Sequence, residues 1–265
     1  YLKKSVEDIE QDIQNKKDIR GIDIQKVGVK DLEVPLIIQR KFYDNQVVYA
    51  KARLNVSLPQ NYKGTHMSRF VEVLNDWRQR NLLGMDIKGC LVEICNKLNS
   101  KSAELQFKFK YFIEKKAPVS GLKSTMCYDC LFEGKLNQSG DYRFILGVKV
   151  PLTTLCPCSK EISDYSAHNQ RAIVSVKISY DNDKHIWLED LIETIESCAS
   201  CELYPLLKRV DEKYVTEKAY NTPKFVEDVL RDIVLSFKQN EIINYYEVEI
   251  ESFESIHNHS AWAYQ

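Results

Sequence analysis

Strict two-residue alternation constrains this chain more than any other feature. From Leu105 to Tyr111 the apolar side chains Leu105, Phe107, Phe109 and Tyr111 recur at every second position, with Gln106, Lys108 and Lys110 between them. Successive side chains of a strand point to opposite faces, so this spacing belongs to a strand packed on one face and wet on the other. Residues 122 to 135 supply its partner after a turn around Pro118 to Gly121. Upstream, residues 24 to 40 and 43 to 58 are two further β-type runs that form a hairpin around Asp44-Asn45. Between the two strand pairs the period changes. A stretch capped by Thr65 or Ser68 and running to about Gln79 places Phe70, Val73, Leu74 and Trp77 on one helical face, and Met85 to Leu98 does the same with Ile87, Leu91, Ile94 and Cys95. The first half therefore reads strand, strand, helix, helix, strand, strand.

The second half repeats that order. Tyr142 to Leu155 and Arg171 to Tyr180 read as strands, Trp187 to Cys198 and Pro223 to Lys238 as helices, and Tyr245 to Ser255 as a closing strand. This is a repeat of architecture, not of letters. The expected class is α+β: tandem ββααββ units, each an antiparallel sheet with helices on one face. Residues 1–20 read as a charged, mobile arm with some helical character, residues 21–137 as the first unit and residues 138–265 as the second, joined by a tight turn at Leu136 to Gly140. Small sheets built this way leave edges unpaired, so self-association is expected.

Composition removes several classes of function. No apolar run approaches the ~20 residues that span a bilayer; Ile22 to Val29 and Phe225 to Phe237 are short or broken by charge. A net charge of -1 over 265 residues gives no electrostatic reason to expect nucleic acid. The chain begins at Tyr1 without a signal-like segment, and the expectation is a cytoplasmic protein. Its eight cysteines are then reduced thiols, not a disulfide framework.

The chemistry concentrates between Thr154 and Arg171, where Cys156-Pro157-Cys158-Ser159-Lys160 is followed by His168-Asn169-Gln170-Arg171. Thiol and imidazole so close together point to a metal-centred reaction site. Proline stiffens the pair, so one cysteine reads as a ligand and the other as an acid, a base or a supporting group.

Motifs along nearly the whole chain resemble type IB GTP cyclohydrolase of the tunnelling-fold (T-fold) superfamily. They are Gly28-Val29 and Pro35; Gly64-Thr65-His66-Met67-Ser68-Arg69-Phe70; Leu155 to Lys160 with His168 to Arg171; Cys201-Glu202-Leu203-Tyr204 running into Leu207-Lys208-Arg209 and Asp211-Glu212-Lys213; Thr216-Glu217 with Asn221 to Asp228; and Glu254-Ser255-Ile256-His257. The resemblance implies tandem ββααββ units that assemble into oligomeric barrels, as a homotetramer with active sites at subunit interfaces. It also implies a reaction in which GTP and water give 7,8-dihydroneopterin triphosphate and formate, feeding a pterin pathway such as folate. Attack of water on C8 at neutral pH calls for a divalent ion, since coordination lowers the pKa of water from ~15.7 to roughly 7. By resemblance Cys156, His168 and Glu202 are its ligands; a thiolate, an imidazole and a carboxylate suit zinc and also admit manganese or iron. Cys158 falls beside the metal as a catalytic thiol able to pass a proton, and Glu254 and His257 are placed as catalytic groups, either of which could instead enter the metal shell. Glu217 matches the family's guanine anchor, a carboxylate that accepts from the ring N1–H and the exocyclic amine. No glycine-rich phosphate loop exists, so the triphosphate falls to His66, Arg69, Lys160, Arg171, Lys208 and Arg209.

The remaining cysteines include Cys127-x-x-Cys130 and Cys198-x-x-Cys201, which have the spacing of a zinc ribbon. They fall in a strand-like run and at a helix end, so they read as packing residues, as do Cys90 and Cys95. Two enzyme alternatives stay open: an archaeal-type, iron-dependent relative giving dihydroneopterin 2',3'-cyclic phosphate, and a T-fold nitrile reductase that uses NADPH. A non-catalytic purine-binding or zinc-storing T-fold protein is the alternative outside enzymes.

Overall fold

The computed structural model describes residues 14–265 apart from 79, 83 and 182 and the side chains of 81–85. Its strands are β1 (Ile24–Ile38), β2 (Gln46–Leu58), β3 (Asn81–Leu82), β4 (Ala103–Lys116), β5 (Lys123–Leu136), β6 (Tyr142–Leu155), β7 (Asn169–Tyr180), β8 (Cys201–Glu202), β9 (Ile243–Ser252) and β10 (Ala261–Tyr264). All belong to one sheet in the order β10-β9-β7-β6-β5-β4-β2-β1-β3, with β8 added on β6. Neighbours are antiparallel except for the short parallel contact of β1 with β3. The sheet continues unbroken through the turn after Leu136, where β5 pairs with β6 and Gly140 takes a φ of 85°. That value is in the region where glycine carries no steric penalty.

Alternation decides which face is covered. Leu105, Phe107, Phe109 and Tyr111 of β4 are buried, while Lys108 and Lys110 are exposed. The helices are α1 (Met67–Trp77), α2 (Gly84–Leu98), the short α3 (Pro157–Ile162), α4 (Leu188–Ser197), α5 (Arg209–Asn221) and α6 (Val226–Gln239), of which α1, α2, α4 and α6 bury side chains in the main core against the sheet. Phe70, Val73, Leu74 and Trp77 of α1 and Ile87, Leu91 and Ile94 of α2 join one core under the sheet. Each such fully buried side chain contributes on the order of 1.5–3 kcal/mol. In the second half Leu188, Leu191, Ile192 and Ile195 of α4 and Val226, Val229, Ile233 and Phe237 of α6 play the same part. Polar contacts also fasten α4 to the first half: Glu196 accepts from Lys115 Nζ and Tyr128 Oη, each at 2.8 Å. Among the described residues no helix is long and apolar enough to cross a membrane.

The structure adjusts the sequence reading locally. The first hairpin turns over the wider segment 39–45, not at Asp44-Asn45 alone. His66 occupies the N-cap of α1, and neither Thr65 nor Ser68 does. The arm expected over residues 1–20 lies outside the described residues as far as 13; beyond that it is pinned, with Gly64 N donating to Gln14 O and Lys63 N to Lys16 O, both at 3.0 Å.

Candidate functional site

Strand register assembles the centre of the site. β6 and β7 pair to their last residues, Thr154 with Gln170 and Leu155 with Asn169. One step further, Cys156 N donates to His168 O at 3.1 Å, so the cysteine and histidine face each other where the ladder opens. Pro157 then occupies the first turn of α3, where its missing N–H costs nothing, and Cys156 becomes the N-cap. Ser159 binds the two segments together. Its N–H donates to Cys156 Sγ at 3.4 Å, its hydroxyl donates to Cys156 O at 3.2 Å, and the same oxygen accepts from His168 N at 3.2 Å.

A chain of polar groups orients the imidazole. His168 Nδ1 lies 2.9 Å from Gln170 Oε1. An amide oxygen only accepts, so Nδ1 carries the proton and Nε2 keeps its lone pair. Gln170 Nε2 donates in turn to Thr154 Oγ1 at 3.2 Å, which is 3.0 Å from Ser252 Oγ. Thr154 and Ser252 are buried, on β6 and β9 respectively. Glu254 Oε2 approaches His168 from the protonated side, 3.9 Å from Nδ1.

These groups line a cavity of about 450 Å³ whose walls include Cys156, His168, Glu254 and His257, with Phe225 and Trp262 as aromatic surfaces. His257 is exposed and stacks on His259, ring centroids 5.0 Å apart. Lys224 fixes the wall opposite: its N–H donates to Leu155 O at 3.0 Å, while Nζ reaches Cys198 O at 2.9 Å and Asp232 at 2.7 Å.

The other residues singled out in the sequence lie elsewhere. Cys158 is exposed on α3 and does not line the cavity. Glu202, on β8, accepts from Tyr204 Oη and pairs with Lys218. Burial pushes its carboxyl up, but the hydrogen bonds from Lys218 and Tyr204 outweigh burial and hold it below the usual carboxylate value. The thiol of neighbouring Cys201 is pushed up to about 11 by burial and by the Glu202 charge. Glu217 sits exposed on α5, 3.8 Å from Lys213. Lys208 caps α5, its N–H donating to Asp211 at 2.9 Å, and Arg209 follows it at the first helical position. Arg171 is exposed; it neighbours Gln170 in sequence and so points to the opposite face of the sheet. Lys160 Nζ donates to Tyr220 O at 2.6 Å. His66 and Arg69 line a separate cavity of about 220 Å³, where Arg69 Nη1 donates to Lys97 O at 2.8 Å.

Among the described residues no three His, Cys, Asp or Glu side chains converge tightly enough to enclose an ion. Cys127 is exposed, Cys130, Cys198 and Cys201 are buried, and all four are free thiols.

The fold is shared with a uricase from Bacillus fastidious, at a TM-score of 0.57 and 10% identity over 91% of this chain and 92% of the other. At the level of sequence the relatives are far nearer. The chain is 50% identical to the GTP cyclohydrolase FolE2 of Geotalea uraniireducens over 252 residues, 95% of this chain and 91% of that one. It is 51% identical to the FolE2 of Syntrophus aciditrophicus over 253 residues, covering 96% and 98%. The FolE2 of Thermosipho africanus is 48% identical over 95% and 96%. Because the family model described as type I GTP cyclohydrolase folE2 also matches over residues 11–263, this chain belongs to that family.

Proposed function

We propose that the cavity bordered by Cys156, His168 and Glu254 is the reaction centre in which this GTP cyclohydrolase opens the guanine imidazole ring. GTP and water give formate and 7,8-dihydroneopterin triphosphate, the type IB reaction. The observation that carries the assignment is the β6–β7 register, which sets Cys156 against His168 while Gln170 occupies Nδ1 and leaves Nε2 its lone pair. A thiol and an imidazole lone pair suit zinc, and also manganese or iron. A divalent ion held by these residues would supply Lewis acidity for the purine and would lower the pKa of water to roughly 7.

Glu202 is the third ligand in this reading, and its carboxylate must exchange Lys218 and Tyr204 for the ion. Glu254 is not assigned as a ligand, because it approaches the nitrogen of His168 that already bears a proton. It serves instead, with the exposed His257, to take and return protons during ring opening and closure. Cys158 stands outside the cavity lining and has no ligand role. Glu217 anchors guanine through two charge-assisted bonds.

In this reading a second copy completes the site, and strand direction supports it. β2 ends, and β4 begins, beside His66 and Arg69; three antiparallel pairings later β6 ends at Cys156, at the other end of the sheet. A 14-residue strand at about 3.3 Å per residue spans roughly 45 Å, far beyond any side chain. His66 and Arg69 can therefore serve a Cys156 cavity only on a second copy, and the expected homotetramer with interface sites supplies one. Lys208 joins them as a triphosphate ligand in this reading, and Arg171, facing away from the cavity of its own subunit, does so for a neighbouring copy.

The test is turnover of GTP by metal-reconstituted and by chelated protein, with formate release and dihydropterin fluorescence as readouts. Loss of turnover on chelation is expected; equal turnover by chelated protein contradicts the metal-centred reading. Triphosphate retained on the product separates this activity from the cyclic-phosphate alternative, and independence of NADPH from a nitrile reductase.

A further inference from the structure

We infer that Gln170 is a positioning residue for the reaction centre: with Thr154 and Ser252 behind it, it holds His168 in the tautomer that leaves Nε2 able to bind a metal ion. The inference rests on the reading of His168 as a ligand.

Neutral imidazole has two tautomers, and only the nitrogen without a proton can bind an ion. In a histidine free in water neither nitrogen is reserved for the ion. Here the choice is made by an oxygen 2.9 Å from Nδ1. Gln170 could present either end of its amide, and an –NH₂ at the same place would force the opposite tautomer. The Glu254 carboxylate, which only accepts and lies 3.9 Å from Nδ1, favours a proton on that nitrogen and so the oxygen-inward end of the amide. Gln170 Nε2 sits 3.2 Å from Thr154 Oγ1, and that hydroxyl is 3.0 Å from Ser252 Oγ.

The three members come from three adjacent strands, Ser252 on β9, Gln170 on β7 and Thr154 on β6, with Gln170 directly opposite Thr154 in the ladder. Both hydroxyl residues are buried, with 1% and 0% of their surface exposed. Their oxygens have no water to turn to, and a break in the chain would leave a polar group unsatisfied at a cost of about 1–3 kcal/mol. The amide is thus held in place by the sheet itself. Glu254, 3.9 Å from Nδ1, adds a negative charge on the same side and reinforces the proton there. Hydrogen bonds of this kind to the non-ligating nitrogen raise ligand basicity, and removing the partner costs about 10–100-fold in metal affinity.

The measurement is zinc affinity of apo-protein by competition with a chromophoric chelator, together with ¹⁵N shifts of the His168 ring in the zinc-free state, assigned by comparison with His168→Ala. Gln170→Met, of similar length but without an acceptor, is expected to bind zinc about 10–100-fold more weakly and to lose the single-tautomer signature. Gln170→Glu keeps an acceptor oxygen and is expected to retain both. Thr154→Val, which keeps shape and removes the hydroxyl that holds the far end of the amide, is expected to weaken zinc in the same direction and serves where Gln170→Met does not fold. Wild-type zinc affinity in both Gln170→Met and Thr154→Val, or a ring that keeps its proton on Nδ1 in both, overturns the inference. If His168→Ala itself binds zinc like wild type, the ligand assignment beneath it has failed instead.

Discussion

Gly134 of β5 is a point where the sheet and α2 touch with no room for a side chain, and Gly134→Ala measures how rigid that contact is. A Cβ built there lies 2.4 Å from Ile87 Cγ2, 3.1 Å from Leu91 Cδ1 and 3.2 Å from Tyr142 Cε2. Carbon atoms pack at about 3.5–4.0 Å, so the nearest contact is short by more than an ångström. Ile87 and Leu91 have no exposed surface into which to swing, so α2 must move. Two effects oppose each other. Alanine restricts the unfolded chain and contributes about 0.4–1 kcal/mol of stability, whereas overpacking a closed core costs about 1–3 kcal/mol. With this depth of overlap the second wins, and a net loss of about 1–2 kcal/mol is expected. Equilibrium urea unfolding at fixed protein concentration reads it directly. Ile87→Ala removes the clashing methyl; alone it costs about 2–5 kcal/mol, and the double variant is expected to be more stable than the sum of the two single losses by about 1 kcal/mol or more. A stabilising Gly134→Ala, or strict additivity in the double variant, refutes the reasoning.

Three further outcomes are expected. Glu202→Gln should weaken zinc binding; if competition titration finds it unchanged, the carboxylate belongs to Lys218 and Tyr204 alone. Glu217→Gln should raise KM for GTP by roughly 10-fold or more without changing metal content, since it loses charge-assisted bonds worth about 1.5–3 kcal/mol each, and an unaltered KM removes the anchor assignment. Asp211 is buried and accepts from the N–H groups of Val119 and Ser120 at 2.8 Å, the N–H of Lys208 at 2.9 Å and the Ser120 hydroxyl at 2.6 Å. Burial pushes this carboxyl up, but those bonds prevail and hold it well below the usual range. A depressed folded value stabilises the protein above the unfolded pKa of about 3.9 and is lost as pH falls through the folded one. Urea midpoints should therefore show Asp211→Asn less stable than wild type at pH 7, with the gap narrowing below about pH 4; a gap constant with pH counts against this.

The long strands were legible because alternation is a direct image of a half-covered sheet; β6, for example, runs from Tyr142 to Leu155, the same bounds its sequence suggests. α5 was not. Only Asp211 and Ala219 of its thirteen residues are buried, so it carries no apolar stripe and reads as a charged run. β3 and β8 have two residues each, too few for any period, and β10 is separated from β9 by the irregular segment 253–260. At the site, Cys156 and His168 stood out by residue type, and the register explains how they meet. Gln170, Thr154 and Ser252 gave no chemical signal, because a hydroxyl or amide in a strand looks the same whether it faces water or a buried histidine. The one available hint was parity: Gln170 shares its face with His168, and Arg171, chosen for its charge, points away. Glu202 and Glu217 were found by resemblance; the ion pair of Glu202 with Lys218 follows from how α5 packs, which the sequence did not reveal, whereas that of Glu217 with Lys213 is the i,i+4 spacing of α5 itself.

The central claim is that Cys156, and not Cys158, belongs to the metal centre. Zinc titration of apo-protein carrying Cys156→Ala or Cys158→Ala, with bound metal quantified after gel filtration, tests it most directly. Cys156→Ala is expected to fail to retain stoichiometric zinc, while Cys158→Ala retains it as wild type does. Zinc lost from Cys158→Ala and kept by Cys156→Ala would contradict it.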